Sequence, residues 1–82
     1  MMMAFDPAKD ATNVAKHGLS LADAGKVEPV FRMIDDRYDE PRYRLYGYIE
    51  DVAYCVAYTI RDGVVRVISF RRAHKKELRR YE

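Results

Sequence analysis

Hydrophobic and polar residues alternate with a period of two in three consecutive stretches of the second half of the chain. Tyr43–Ile49, Val52–Ile60 and Val64–Phe70 (YRLYGYI, VAYCVAYTI, VVRVISF) are rich in Tyr, Val and Ile. Glu50-Asp51 and Arg61-Asp62-Gly63 separate them. Such alternation between turn residues predicts β-strands. Asp-Gly supplies the positive φ of a primed hairpin turn, so the three strands should form an antiparallel meander. Val30–Asp35 alternates more roughly and is predicted as a further strand. Upstream, Asp6 can cap and Pro7 can open a helix running to about His17, with Gly18 as a left-handed stop. Ser20 can cap a second, short helix from Leu21 to about Val27, ended by Pro29. Ala73–Tyr81 is predicted as a terminal helix. The fold class expected is α+β, as one domain over residues 1–82: two N-terminal helices, a four-stranded mainly antiparallel sheet and a C-terminal helix.

Two-residue turns at Glu50-Asp51 and Asp62-Gly63 would set Ile49 opposite Val52 and Arg61 opposite Val64. One sheet face then collects Leu45, Ile49, Val52, Tyr54, Val56, Tyr58, Ile60, Val65 and Val67, a core for the first two helices to cover. The other collects Arg44, Tyr46, Tyr48, Thr59, Arg61, Arg66, Phe70 and Arg72 above a low floor of Ala53, Cys55 and Ala57. Arginines and aromatics around small residues make a shallow basic groove, where bases can stack and guanidinium groups hold phosphates. The plainer alternative is a solvated face, because Tyr is a common strand former and Arg often marks exposed surface.

Charge sharpens this picture. Eight of the 15 Lys and Arg lie in residues 61–82 with three of the 13 acids, so that segment carries +5 and the rest −3. Cations concentrated at one end of a near-neutral chain point to an anionic partner, nucleic acid first. A chain of 82 residues with 49% apolar and 34% charged residues folds as one domain and has a small stability margin. The single Cys55, in an apolar strand, reads as a buried, inert thiol. No run of about 18 apolar residues suggests a membrane span, and MMMAFD lacks the features of a secretory signal; the expected location is cytoplasmic.

No metal site is expected: His17 and His74 are far apart, and Asp35-Asp36 and Asp39-Glu40 read as solvated loop charge. A phosphate-binding glycine loop, a nucleophile elbow and a spaced Cys/His pair are all missing from the sequence, and no cofactor is expected. Metal-free RNA chemistry remains, because RNA carries its own nucleophile, the 2′-hydroxyl. The protein must align it and stabilise charge on the phosphoryl oxygens. Arg66, Arg71 and Arg72 suit the second task, since a guanidinium binds phosphate bidentately and stays charged. Arg44, Tyr46, Tyr48, Arg61, Phe70, His74 and Lys75 are the candidate RNA-binding residues. His74 is of the residue type suited to proton transfer but begins a helix, where the macrodipole disfavours a cation. His17 reads as a packed or half-exposed helix end. Lys75, Lys76, Arg79 and Arg80 also fit a solvated helix face, and Tyr81 could either pack on the sheet or stack a base.

FDPAKDATNVAKHGLSLADA, the Arg/Tyr strand ending in Gly47, and YTIRDGVVRVISFRRAHKKELRRYE together resemble the BrnT family of toxins from bacterial type II toxin–antitoxin pairs. The resemblance covers nearly the whole chain. Its most specific pieces are Lys16-His17-Gly18 and the ending Arg66, Ile68-Ser69, Arg71, Tyr81-Glu82. It implies a RelE-like fold and a ribonuclease that cuts RNA, without metal, through basic residues across the sheet, and arrests translation. It further implies a BrnA-like ribbon-helix-helix antitoxin, whose complex with the toxin binds operator DNA. Arg66 and Arg71 fall on the family ending; Arg72 and Lys75 follow more loosely. Two positions depart from the family pattern: Phe5 replaces a Trp, and SFRRAH replaces a Ser-Ala-Arg-Lys-Ala-Thr-like run. Strict alternation turns Arg71 to the core side, so its place in the site requires it to lie past the strand end. The alternatives to a ribonuclease are a non-enzymatic nucleic-acid or partner-binding module and an inactive toxin remnant acting as corepressor.

Overall fold

The computed structural model describes residues 3–80. It contains β1 (Met3–Phe5), α1 (Pro7–His17), a 3-10 helix (Leu21–Lys26), β2 (Glu28–Asp35), β3 (Arg42–Ile49), β4 (Val52–Arg61), β5 (Val64–Arg72) and α2 (Lys75–Arg79). The strands form one sheet in the order β1-β5-β4-β3-β2. The central meander follows the predicted register: Ile49 pairs with Val52 and Arg61 with Val64. Asp62 and Gly63 both have positive φ, 50° and 74°, as a primed hairpin turn requires.

The predicted architecture of two N-terminal helices on a four-stranded, mainly antiparallel sheet is wrong. The sheet has five strands and is mixed, because β1 pairs parallel to β5 through Met3–Val65, Ala4–Arg66 and Phe5–Val67. Three residues are too few to show a period, and the pairing that makes them a strand comes from the far end of the chain. Only one N-terminal helix is α-helical. Leu21–Lys26 closes as a 3-10 helix, too short to repay α-helix nucleation and carrying Gly25. Pro29 lies within β2, which is tolerated because β2 is an edge strand. The terminal helix is shorter than predicted. Ala73 extends the sheet by donating to the Ala53 carbonyl at 3.0 Å, and extended His74 (ψ 139°) precedes the helix. Tyr81 lies outside the described residues.

The main core lies on the predicted face. Val56, Tyr58, Val67 and Phe70 pack under Leu21, Ala24 and Val27 of the 3-10 segment. A smaller cluster on the opposite face joins Leu78 of α2 to Tyr46, Ala53 and Cys55. Cys55 is buried, and burial pushes its thiol up. Gly47 serves a close approach: a Cβ there would run into the Glu28 carbonyl of β2.

Helix α1 is capped as predicted, with Asp6 accepting from the Ala8 amide at 2.8 Å and Gly18 left-handed at φ 69°. Its docking is unusual, for its buried residue is polar: Asn13 is buried while Val14 is 45% exposed. The Asn13 amide nitrogen donates to the carbonyls of Phe70 and Leu19, each at 2.8 Å, and its oxygen accepts from the Phe70 amide at 3.1 Å. The side chain therefore meets both backbone groups of Phe70, past the point where β1 has ended. Asn13→Ala is expected to lower stability by about 2–4 kcal/mol, because it orphans a buried N–H and C=O. Urea unfolding of the two proteins, with unchanged m-values, checks this.

Candidate active site

The site depends on a single bulge in β5. Ala57 pairs with Ser69 and Tyr58 with Val67, so Ile68 is an extra residue in the strand. Beyond it the two faces exchange side chains. Ser69 and Arg71 join Arg66 on one face, and Phe70 and Arg72 turn to the other. Arg71 thus reaches the predicted groove from within the strand, without lying past its end. Phe70 and Arg72 leave the groove face on which simple alternation puts them. Phe70 is 1% exposed in the main core, and Arg72 stands exposed opposite Tyr54.

On the groove face, Arg44 and Ser69 flank Ala57, Arg66 pairs with Thr59 and Arg71 with Cys55. Sheet spacings put the backbones of Arg44, Arg66 and Arg71 within about 5–8 Å of Ala57, and those of Arg66 and Arg71 about 14 Å apart. Three arginine positions thus ring a floor made by one methyl group. The rest of the predicted floor is occupied, since Leu78 covers Ala53 and Cys55. Tyr46 is buried there and stacks on Phe31 at 4.7 Å, which makes it a wall and not an open stacking platform. Tyr48 is half-buried in the same cluster. His74 and Lys75 line a separate cleft along α2, whose lining includes Glu77.

Carboxylates hold most of these arginines. Arg44 lies 3.8 Å from Asp35, Arg71 lies 3.7 Å from Glu77, and Arg61 contacts Glu40 at 2.7 Å. Glu77 also accepts from the His74 amide at 2.9 Å, which ties the start of α2 to Arg71. The Arg61 guanidinium holds the Glu40 carboxyl below its usual range, aided by the Thr59 hydroxyl and the charge of Arg66. Arg66 itself is exposed and forms no ion pair among the described residues. It borders a cleft of about 320 Å³ lined also by Phe5, Glu40, Arg42, Thr59 and Arg61. Phe5 thus serves as core edge and cleft wall. Sequence reasoning left Arg42, Ser69 and Glu77 out of the site residues and took Asp35 and Glu40 for solvated loop charge. Arg42 was detectable, since it shares the strand parity of Arg44. Among the described residues, no group of three or more His, Cys, Asp or Glu side chains is arranged to hold a metal ion. No helix among them is long and apolar enough to cross a membrane.

Asp35 anchors one side of the ring. Hydrogen bonds from Arg37 at 2.9 and 2.6 Å lower its carboxyl to about 2, with a smaller contribution from Arg44. A carboxyl lowered on folding favours the folded state above its ordinary value, and that contribution disappears as pH falls through about 2. Carboxyl-carbon NMR should give a midpoint near 2 in the native chain, and Arg37→Ala should move it up towards 3.8.

The family model described as a ribonuclease toxin, BrnT, of a type II toxin–antitoxin system matches residues 5–77. Among solved structures, the crystal structure of the Brucella abortus ribonuclease toxin BrnT superposes with a TM-score of 0.68 at 25% sequence identity, covering 90% of this chain and 99% of that one. A comparison with curated proteins finds no match. The model match takes in both the arginine-bearing strands and the Asn13 helix, and with it this chain belongs to the BrnT family of ribonuclease toxins of type II toxin–antitoxin systems.

Proposed function

We propose that this chain is a metal-independent endoribonuclease, with Arg66 and Arg71 contacting the scissile region of the RNA and Arg44 beside them. The observation that carries the reading is the arginine ring around Ala57, with Arg66 unpaired among the described residues. In the reaction, the RNA 2′-oxygen bonds to the adjacent phosphorus and the bond to the 5′-oxygen breaks. The 2′-hydroxyl loses its proton and the leaving oxygen gains one. The products are a 2′,3′-cyclic phosphate and a 5′-hydroxyl. Negative charge grows on the phosphoryl oxygens along the way, and fixed guanidinium groups stabilise it without reorganising. Arg61 steadies Glu40 at the edge of the same cleft, while His74 and Lys75, beside the Arg71–Glu77 pair, serve a flank of the RNA; Arg72, on the opposite sheet face, takes no part.

We also infer that the antitoxin is a BrnA-like ribbon-helix-helix protein that covers part of the arginine face and carries the complex to operator DNA. The support is the type II family and an exposed basic surface that an acidic segment would complement. Translation arrest in the cytoplasm follows from RNA cleavage.

Purified protein should cut RNA in EDTA and leave 2′,3′-cyclic phosphate ends. Loss of cleavage on chelation would remove metal independence. Arg66→Ala should lower kcat by about 10²–10³-fold, the range for losing one transition-state donor, with Arg66→Lys recovering part. Full activity in the Arg66→Ala, Arg71→Ala double variant would exclude this site.

A further inference from the structure

We propose that the seam between α1 and the outer edge of β5 is a second subsite, which takes the phosphodiester backbone of single-stranded RNA flanking the cut; it rests on the RNA-cleaving reading above. β1 ends opposite Val67, so beyond that point the β5 edge faces a helix and not a strand. A cleft of about 330 Å³ opens there, and its lining includes Lys9, Thr12, Lys16, His17, Ile68 and Ser69. Lys9, Thr12 and Lys16 are spaced to share one side of the helix. Among the described residues, no carboxylate lines this cleft. The acids of α1 are engaged elsewhere: Asp6 accepts from the Ala8 amide at 2.8 Å, and Asp10 from the Ser20 hydroxyl at 3.0 Å and the Leu21 amide at 2.7 Å.

Helix stability accounts for only part of this arrangement. Lys16 and His17 in the last turn favour the helix end. Lys9 lies near the other end, where the same dipole disfavours a cation. The seam also connects to the arginine ring. Lys9 and Ile68 border both clefts, and Ser69 lines the seam while flanking Ala57. The bulge therefore places the divide between two basic clefts at one residue. Acidic residues Asp6, Asp39 and Glu40 line the Arg66 cleft alone. Lys9 and Lys16 are about 10 Å apart along the helix, so a bound strand would follow α1 for more than one nucleotide.

The test is binding of oligothymidylate DNA of two and of eight nucleotides, a probe with no 2′-hydroxyl to cut. Three proteins are compared: the wild-type chain, the Lys16→Gln, His17→Gln double variant, and Lys26→Gln. Glutamine keeps helix propensity, and thermal melting of each variant checks the fold. Wild-type affinity should rise with length. The double variant should lose most of that rise, about tenfold at low salt, and its salt slope should become shallower by about 0.7 for each phosphate it no longer neutralises. Lys26, paired with Asp23 at 2.9 Å outside both clefts, should change neither. Equal length dependence and equal slopes in wild type and double variant overturn the proposal, even if wild-type protein cuts RNA. The expected shifts in a protein that fails to cut RNA would support the subsite as a strand-binding site and would count against the ribonuclease reading alone.

Discussion

One primary amide ties this molecule together. The edge of β5 has a strand beside it only as far as Val67, and Phe70 would otherwise have its backbone groups open. A carboxamide offers an N–H donor and a C=O acceptor at peptide-like spacing, so Asn13, still donating its second N–H to Leu19, can stand in for the missing strand. It does so at 2.8 and 3.1 Å. The same contact docks α1, which has no buried apolar side chain of its own. It also holds Phe70 in the core just beyond the bulge, and so fixes the register that turns Arg71 to the site. Helix position, core packing and site geometry thus share one set of hydrogen bonds.

The sheet divides its labour by face. One face is apolar and closed by the 3-10 segment. The other is closed only at one end, where Leu78 of α2 rests on Ala53 and Cys55. Ala57, next in the same row, stays at the centre of the arginines. A small floor serves both needs: it admits Leu78 at one end and stays open between the arginine positions at the other.

The carboxylates beside these arginines suit a site that must bind a polyanion. Exposed ion pairs contribute little net free energy, so Asp35, Glu40 and Glu77 orient guanidinium groups without holding them against a phosphate. A dianionic transition state within a ring of such groups gains more than the ground state does, which is the condition for catalysis. Arg66 has no ion pair among the described residues and is the cation most readily offered to an incoming strand.

Much of this was legible in the sequence. The meander, its hairpin turns, the α1 caps and the apolar face all follow from local chemistry: alternation, an Asp-Gly turn, a cap residue and a left-handed glycine. The arginine-rich face and the family motifs were legible too. Tertiary structure decided the rest, because each missing piece depends on residues distant in the chain. Met3–Phe5 is a strand only because β5 lies beside it. Asn13 matters only because Phe70, 57 positions away, needs partners. The side to which Arg71 and Phe70 turn depends on Ile68, an extra residue that no two-residue period reveals. A bulge shifts register by one and leaves composition untouched, so the chain itself sets which arginines exist and the folded sheet sets which of them meet.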